Sequence, residues 1–108
     1  MEVVFWECID GENPFEIWKS QVSEDQVKTA NASLACLKAV GMKCRYVKNL
    51  NLEGLHELRS KSLNVRVYFY LKKREQKLYI VGMGEKKNQK IDIIHSYNRM
   101  KGVILWAV

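Results

Sequence analysis

The stretch Val65-Arg66-Val67-Tyr68-Phe69-Tyr70-Leu71 alternates between apolar side chains and polar or tyrosine side chains. A period of two residues is typical of a β-strand, because successive side chains point to opposite faces of a sheet. The valines, Phe69 and Leu71 would face the core, and Arg66 would share the other face with the two tyrosines. The sequence therefore predicts a half-buried strand whose second face is cationic and aromatic.

Two further strands are predicted on either side of this one. They cover Leu55 to Arg59 and Leu78 to Met83, and the polar stretches Ser60 to Asn64 and Lys72 to Lys77 connect them to the central strand. Short polar connections of this kind join antiparallel strands. The second half of the chain therefore predicts an antiparallel meander.

The N-terminal half predicts a strand followed by two helices. The strand covers Glu2 to Cys8, and Asp10-Gly11 supplies a turn. Asn13-Pro14-Phe15-Glu16 combines an N-cap residue with proline at the first helical position, which predicts a short helix to about residue 21. Ser23-Glu24-Asp25-Gln26 is a capping box before apolar residues at helical spacing, and Gly41 would end this second helix. The two helices would form a helical hairpin.

A last helix is predicted over Ile91 to about Lys101, with Ile91 and Ile94 facing inward and Gly102 ending it. The apolar tail Val103 to Val108 would follow as a separate segment. It would either add a strand to the sheet or pair with a partner through an exposed edge.

Length and composition indicate one folded domain over residues 1–108. A chain of 108 residues with 47% hydrophobic and 28% charged residues is long enough for one core and too short for two. Three cysteines without a Cys-x-x-Cys spacing, together with the absence of a secretion signal or of about 20 consecutive apolar residues, predict a soluble cytoplasmic protein without membrane contact. The net charge of +6 favours a polyanionic partner.

The basic residues cluster on the predicted meander or at its ends. They are Arg59, Arg66, Lys72, Lys73, Arg74, Lys86, Lys87 and Lys90. Those from Lys72 to Arg74 fall in a hairpin turn, where solvated charge is normal. Arg66 is more informative, because its planar guanidinium suits phosphate and the neighbouring tyrosines could stack on unpaired bases. The alternative interpretation is an exposed sheet face on which Arg66 pairs across strands with Glu57.

Three runs of this sequence together resemble the RelE and HigB toxin superfamily, and its phage-derived branch most closely. They are Leu55-His56-Glu57-Leu58-Arg59, Arg66-Val67-Tyr68-Phe69-Tyr70 and Gly84-Glu85-Lys86-Lys87-Asn88-Gln89-Lys90. The resemblance extends to the N-terminal half and covers the chain to about Lys101. It implies an α+β fold with a curled antiparallel sheet, a helical hairpin packed on it and a C-terminal helix.

The resemblance also implies a function. Such toxins cut messenger RNA, many of them on the ribosome, through attack of a ribose 2′-hydroxyl on the adjacent phosphate, and a cognate antitoxin encoded nearby holds them inactive. No metal or other cofactor is implied. This chemistry needs a base for the hydroxyl, cations for the phosphorane charge and an acid for the leaving oxygen.

By position, the resemblance places Arg59 and Arg66 on the scissile phosphate and Lys86 as a further cation. Glu57 would act as a base or orient Arg59. Further RNA contacts would come from Lys87, Tyr68, Tyr70, Lys90 and His56, although alternation places His56 on the sheet face opposite Glu57. The acid for the leaving oxygen would be one of His95, Tyr97 and Tyr68, with His95 expected to be partly buried.

Two other hypotheses remain open at the level of sequence. The first is a catalytically inactive RNA-binding or protein-binding module of the same fold. The second is an interaction protein that holds a partner through the apolar tail and a sheet edge, while its charge serves solubility.

Overall fold

A computed structural model of the protein describes residues 2–6, 13–60 and 63–106, which form an α+β fold. The elements are β1 (Glu2–Phe5), α1 (Pro14–Lys19), α2 (Glu24–Val40), β2 (Val47–Leu52), β3 (Leu55–Arg59), β4 (Val65–Lys72), β5 (Lys77–Glu85) and α3 (Gln89–Trp106). Short 3₁₀ turns at Gly41–Lys43, Lys73–Glu75 and Lys86–Asn88 connect some of them. The predicted turn at Asp10-Gly11 and the end of the first predicted strand at Cys8 lie outside the described residues.

The five strands form one sheet in the order β1-β5-β4-β3-β2. Strands β3 to β5 pair antiparallel with one another, which confirms the predicted meander. Strand β2, which the sequence did not predict, extends it by pairing antiparallel with β3. Strand β1 pairs parallel with β5, from Glu2 opposite Lys77 to Phe5 opposite Ile80. The sheet is therefore mixed, and the prediction of a purely antiparallel sheet is wrong at this edge.

Both N-terminal helices begin where their capping residues indicate. The Asn13 Oδ1 accepts hydrogen bonds from the backbone N–H groups of Phe15 at 2.8 Å and Glu16 at 3.4 Å. Ser23 and Gln26 form the reciprocal capping box of α2. This helix ends at Gly41, whose φ of 57° is the left-handed backbone that favours glycine. The two predicted helices are confirmed.

Helices cover both faces of the sheet and create two cores. On one face α1 and α2 pack over side chains of β4 and β5; the buried residues of this core include Phe15, Trp18, Ala30, Leu37, Val65, Val67, Phe69, Leu78 and Ile80. On the other face α3 packs over Leu55, Tyr68 and Val81 through Met100. Among the described helices, none is long and apolar enough to cross a membrane.

Helix α3 overturns the prediction of a half-buried central strand. Strand β4 is buried on both faces, and Arg66 and Tyr68 are only 3% and 0% exposed. The alternation predicts the two faces correctly, but the second face meets helix α3 instead of solvent. Its arginine and tyrosine therefore belong to the interior of the protein.

The inward face of α3 also differs from the predicted one. Ile91 and Ile94 are 52% and 58% exposed, whereas Ser96, Met100 and Val103 are buried. Gly102 does not end the helix, which continues to Trp106. Residues Val103 to Trp106 therefore do not form the predicted strand, and the part of the tail beyond them lies outside the described residues.

Candidate functional site

Three of the predicted phosphate-binding residues are brought to the same end of the sheet. Arg59 is the last residue of β3 and lies opposite Arg66, the second residue of β4. Arg66 in turn lies opposite Gly84 of β5. Lys86 follows directly after β5 ends at Glu85. Antiparallel pairing thus aligns Arg59 with Arg66, and the end of β5 at the same side of the sheet is followed by Lys86.

Glu57 and Arg66 form a buried ion pair at this end of the sheet. The Arg66 Nε lies 3.7 Å from the Glu57 Oε1, and both side chains are 4% exposed. The pair is diagonal across β3 and β4, because Glu57 itself lies opposite Tyr68. The cross-strand pairing considered for Arg66 therefore exists, but inside the protein instead of on an exposed face. Glu57 contacts Arg66, whereas the resemblance predicts that it acts as a base or orients Arg59.

Two amides complete what we call the Glu57–Arg66 network. The Gln89 Nε2, in the first turn of α3, donates a hydrogen bond to the Glu57 Oε2 at 2.9 Å. The Arg66 Nη1 donates to the Asn64 Oδ1 at 2.5 Å. The network is thus assembled from β3, β4, the turn before β4 and α3. It fixes a carboxylate and a guanidinium side by side in the interior of the protein.

Tyr68 lies next to the network and beneath α3. Its hydroxyl is buried without a hydrogen-bond partner. Burial raises the pKa of Tyr68 well above its usual range; the nearby carboxylates of Glu57 and Asp92 add to this increase, and Arg66 opposes it. The phenol therefore stays neutral at physiological pH. With the ring fully buried, it offers no surface for a base in this arrangement.

The exposed cations at this end of the sheet form what we call the basic rim. Its members are Arg59, Lys86, Lys87 and Lys90, all of them exposed. Lys87 has an acidic neighbour, since its Nζ lies 3.7 Å from the Glu85 Oε2, but the lysine side chain is 76% exposed. An ion pair this exposed is worth little, so the Lys87 ammonium can still contact an anionic partner.

The predicted RNA contacts His56 and Tyr70 lie away from the basic rim. The His56 ring stacks on Phe69 with centroids 5.6 Å apart, on the sheet face that α1 and α2 cover. Its Nδ1 lies 2.7 Å from the carbonyl oxygen of Gly54. Tyr70 also lies near Gly54, in the turn between β2 and β3. This turn is at the opposite end of β3 from Arg59, so neither side chain adjoins the network.

The structure also contains a polar cleft that the sequence analysis missed. Its volume is about 350 Å³, and it lies between α1, the end of β5 and α3. Residues that line it include Trp18, Gly82, Gly84, Asp92, His95 and Ser96. The indole Nε1 of Trp18 and the hydroxyl of Ser96 are buried there without hydrogen-bond partners. The sequence signal that could have revealed this cleft is the pair of glycines two residues apart in β5, which admits α3 close to the strand.

The three candidates for the missing acid lie in three different places. His95 is exposed at the polar cleft, so the expectation of a partly buried histidine is wrong. Tyr97 interacts with Glu53, near the turn at the far end of β3 from the basic rim. Partial desolvation raises the pKa of Tyr97, and the interaction with Glu53 raises it further. Of the three candidates, Tyr68 is the one that lies beside the Glu57–Arg66 network.

Asp92 also lines the polar cleft. Burial raises the pKa of Asp92, while His95 and Arg99 oppose that increase.

In the described part of the chain, no three His, Cys, Asp or Glu side chains are grouped so that they could hold a metal ion. Comparison with known proteins gave no match to a family model, a curated protein or a solved structure.

Proposed function

We propose that this protein is the toxin of a toxin-antitoxin pair and cuts messenger RNA at the end of the sheet that carries the Glu57–Arg66 network. The observation that supports this proposal is that Arg59 and Arg66 lie opposite each other on β3 and β4, with Lys86 directly after β5 and a carboxylate fixed beside Arg66. Cations around a scissile phosphate stabilise the charge of the phosphorane, and a carboxylate is a competent base for a 2′-hydroxyl.

The basic rim would bind the RNA backbone, and the network would act on the scissile phosphate. Arg59 and Lys86 would hold the phosphate from the exposed side, and Lys87 and Lys90 would contact its neighbours. Glu57 would take the proton of the 2′-hydroxyl, while Arg66 would stabilise the phosphorane. Because α3 covers both residues and Gln89 binds Glu57, the first turn of α3 must move before RNA can reach them.

The burial of the network favours a second candidate function, a catalytically inactive RNA-binding or protein-binding module. Glu57 and Arg66 already satisfy each other's charge, and both are 3% exposed. In this case the network stabilises the fold, and the basic rim alone contacts the partner. The two functions share the basic rim and differ in whether RNA is cut.

Growth arrest on expression tests the nuclease proposal. We expect Arg59→Ala to abolish arrest and Lys86→Ala to weaken it strongly, because both remove a cation from the scissile phosphate. Both side chains are exposed, so these changes should leave the fold intact. Lys73→Ala, in the turn between β4 and β5, is the matched control and should arrest growth like the wild type. Wild-type protein that neither arrests growth nor cuts messenger RNA in the presence of ribosomes would exclude the nuclease proposal and leave the inactive module.

The salt dependence of RNA binding tests the role of the basic rim in either function. The affinity for a single-stranded RNA should fall linearly on a log–log plot against salt, and each phosphate contact contributes a slope of roughly 0.7. Removing one rim lysine, as in Lys87→Ala, should reduce the slope by about that amount, whereas Lys73→Ala should not. Fluorescence anisotropy with a labelled oligonucleotide measures the affinity of each variant over a range of salt concentrations, and hence the slope. A slope near zero for the wild type would favour the pure interaction protein.

The proposed toxin also requires an antitoxin. A small protein with an acidic segment would complement the basic rim, and it would act in the cytoplasm, where messenger RNA and ribosomes are available. Co-expression of the neighbouring open reading frame should relieve growth arrest by the wild type. Failure of that protein to bind the purified chain would remove it as the partner.

A further inference from the structure

Two cysteines lie in contact on the side of the molecule formed by α2. Cys36 belongs to the last part of α2, and Cys44 follows directly after the 3₁₀ turn Gly41–Lys43. The Cys44 Sγ lies 2.7 Å from the Cys36 Sγ, and both thiols are free. Cys44 is buried, whereas Cys36 is partly exposed. This pair is separate from the Glu57–Arg66 network and from the basic rim.

The backbone between the two cysteines explains their proximity. Gly41 adopts a left-handed φ of 57°, which reverses the chain at the end of α2. The backbone N–H of Cys44 then donates to the Gly41 carbonyl oxygen at 3.2 Å, which closes the turn. The side chain of Cys44 is thereby returned to the helix that precedes it.

The sulfur atoms are closer than two unbonded atoms prefer. Carbon atoms in contact settle at about 3.5–4.0 Å, and sulfur is larger. A disulfide bond measures about 2.05 Å, so the two atoms need to approach by only about 0.7 Å. Two thiolates on one metal ion would lie further apart, because each metal–sulfur bond is about 2.3 Å at a wide angle. The geometry therefore suits a direct sulfur–sulfur bond.

We propose that Cys36 and Cys44 are a thiol–disulfide exchange site, which a low-molecular-weight disulfide such as oxidised glutathione converts to an intramolecular disulfide. The Cys36 thiolate attacks one glutathione sulfur, so that a mixed disulfide forms and one glutathione thiolate leaves. The Cys44 thiolate then attacks the Cys36 sulfur and releases the second glutathione. Two protein thiols are oxidised and one glutathione disulfide is reduced to two thiols, which take up the two protons.

The environments of the two thiols assign this order of reaction. Cys36 is the thiol that a small molecule can reach. Burial raises the pKa of Cys44 to about 12, and the neighbouring Cys36 adds to this increase. Cys44 is therefore a weak first nucleophile. Its interaction with the Cys36 thiol is removed when Cys36 carries the mixed disulfide, which favours attack by Cys44 at the second step.

The expected structural consequence is a covalent link between α2 and the segment that leads into β2. The closed loop runs from Cys36 to Cys44, and it should stabilise the folded state by restricting the unfolded chain. Oxidation should therefore raise the Tm by roughly 5 to 15 °C. This inference does not depend on RNA cleavage.

A thiol count in a Cys8→Ser background tests the proposal, because only the two proposed thiols then remain. After the folded protein is incubated with oxidised glutathione, we expect both thiols to disappear, no glutathione to be retained, and the mass to fall by that of two hydrogen atoms. With Cys44→Ser added, a stable glutathione adduct should accumulate on Cys36. With Cys36→Ser added instead, the adduct should form at least tenfold more slowly. Thiols that persist, a retained adduct in the parent, or equal rates in the two double variants would overturn the proposal.

Peptide mapping of oxidised wild-type protein provides the second measurement if the Cys8→Ser protein does not fold. Differential alkylation followed by mass spectrometry should identify a peptide that joins Cys36 to Cys44. A peptide that joins Cys8 to either residue in place of this link, or the absence of any link, would contradict the assignment.

Discussion

Replacing Arg66 by alanine is expected to lower the free energy of unfolding by about 3–5 kcal/mol, because it leaves a buried charge without its partner. Glu57 is 3% exposed, and Gln89 would remain as its neutral hydrogen-bond donor. Asn64 would also lose the donor that Arg66 provides. For a domain of about this size, such a loss corresponds to a decrease in Tm of well over 10 °C.

Urea unfolding of three variants separates this effect from a general loss of positive charge. Arg59→Ala removes an exposed arginine from the neighbouring strand and should change the stability by no more than about 0.5 kcal/mol. Glu57→Leu combined with Arg66→Met replaces both charges by apolar groups, and we expect it to recover most of the loss. A cost for Arg66→Ala as small as that for Arg59→Ala would mean that the ion pair does not matter for stability.

The expected instability of Arg66→Ala determines how the proposed role of Arg66 in cleavage must be tested. Loss of growth arrest in Arg66→Ala would be ambiguous, because the variant would also be unstable. Arg66→Lys keeps the charge beside Glu57 and removes the planar fork that binds phosphate with two hydrogen bonds. A folded Arg66→Lys protein without growth arrest would support a role for Arg66 at the phosphate.

Replacing Gly82 by alanine is expected to cost about 1–3 kcal/mol, because the added methyl group would collide with the Ser96 hydroxyl of α3. The Tyr68 ring and the Ser96 Cβ would each lie only 3.3 Å from the new atom. Helix α3 would therefore have to move away from β5. Because this helix covers the whole second core, the strain would extend to Leu55 and Met100.

A double-mutant cycle with Ser96→Ala identifies the source of this cost. Ser96→Ala alone should be neutral or slightly stabilising, because its hydroxyl is buried without a hydrogen-bond partner. The combination Gly82→Ala and Ser96→Ala should recover most of the stability that Gly82→Ala loses, since the colliding oxygen is absent. Additive effects of the two changes, measured by thermal and urea unfolding, would show that the close contact is not the cause.

Local sequence signals predicted most of the fold. Asn13 and the pair Ser23 and Gln26 marked the helix starts, since capping involves residues only two or three positions apart. The meander was equally accessible, because strand alternation and short connections are local. The parallel pairing of β1 with β5 could not be predicted, because no local sequence pattern indicates which distant strand an edge strand will pair with.

The burial of the second sheet face could not be derived from the strand itself. An alternation of Arg66 and Tyr68 with valines is the same whether the polar face meets water or a helix. The pattern of α3 was also misleading, because Ile91 and Ile94 are exposed while Ser96 is buried. A helix with apolar residues on several sides does not identify its inner face, and only packing against Gly82 and Tyr68 selects it.

The candidate site was predicted in part. The resemblance selected Glu57, Arg59, Arg66 and Lys86, and the structure brings these positions to one end of the sheet. The contact from Gln89 to Glu57 spans 32 residues and depends on the direction of α3, which sequence reasoning did not fix. The polar cleft depends on the same helix. Contacts between side chains that meet only through tertiary packing, such as Gln89 with Glu57, could therefore not be predicted from the sequence.

The parallel pairing of β1 with β5 has a consequence for the order of folding. Glu2 lies opposite Lys77, so β1 has no place in the sheet until its partner, 75 residues later, has been synthesised. Contacts of such long range make folding slow, because a large loop must close before they form. On the ribosome, α1 and α2 can form early, while β1 cannot pair until β5 has emerged. The edge strand β1 is therefore the last of the five described strands that can join the sheet, although it is the first of them to be synthesised.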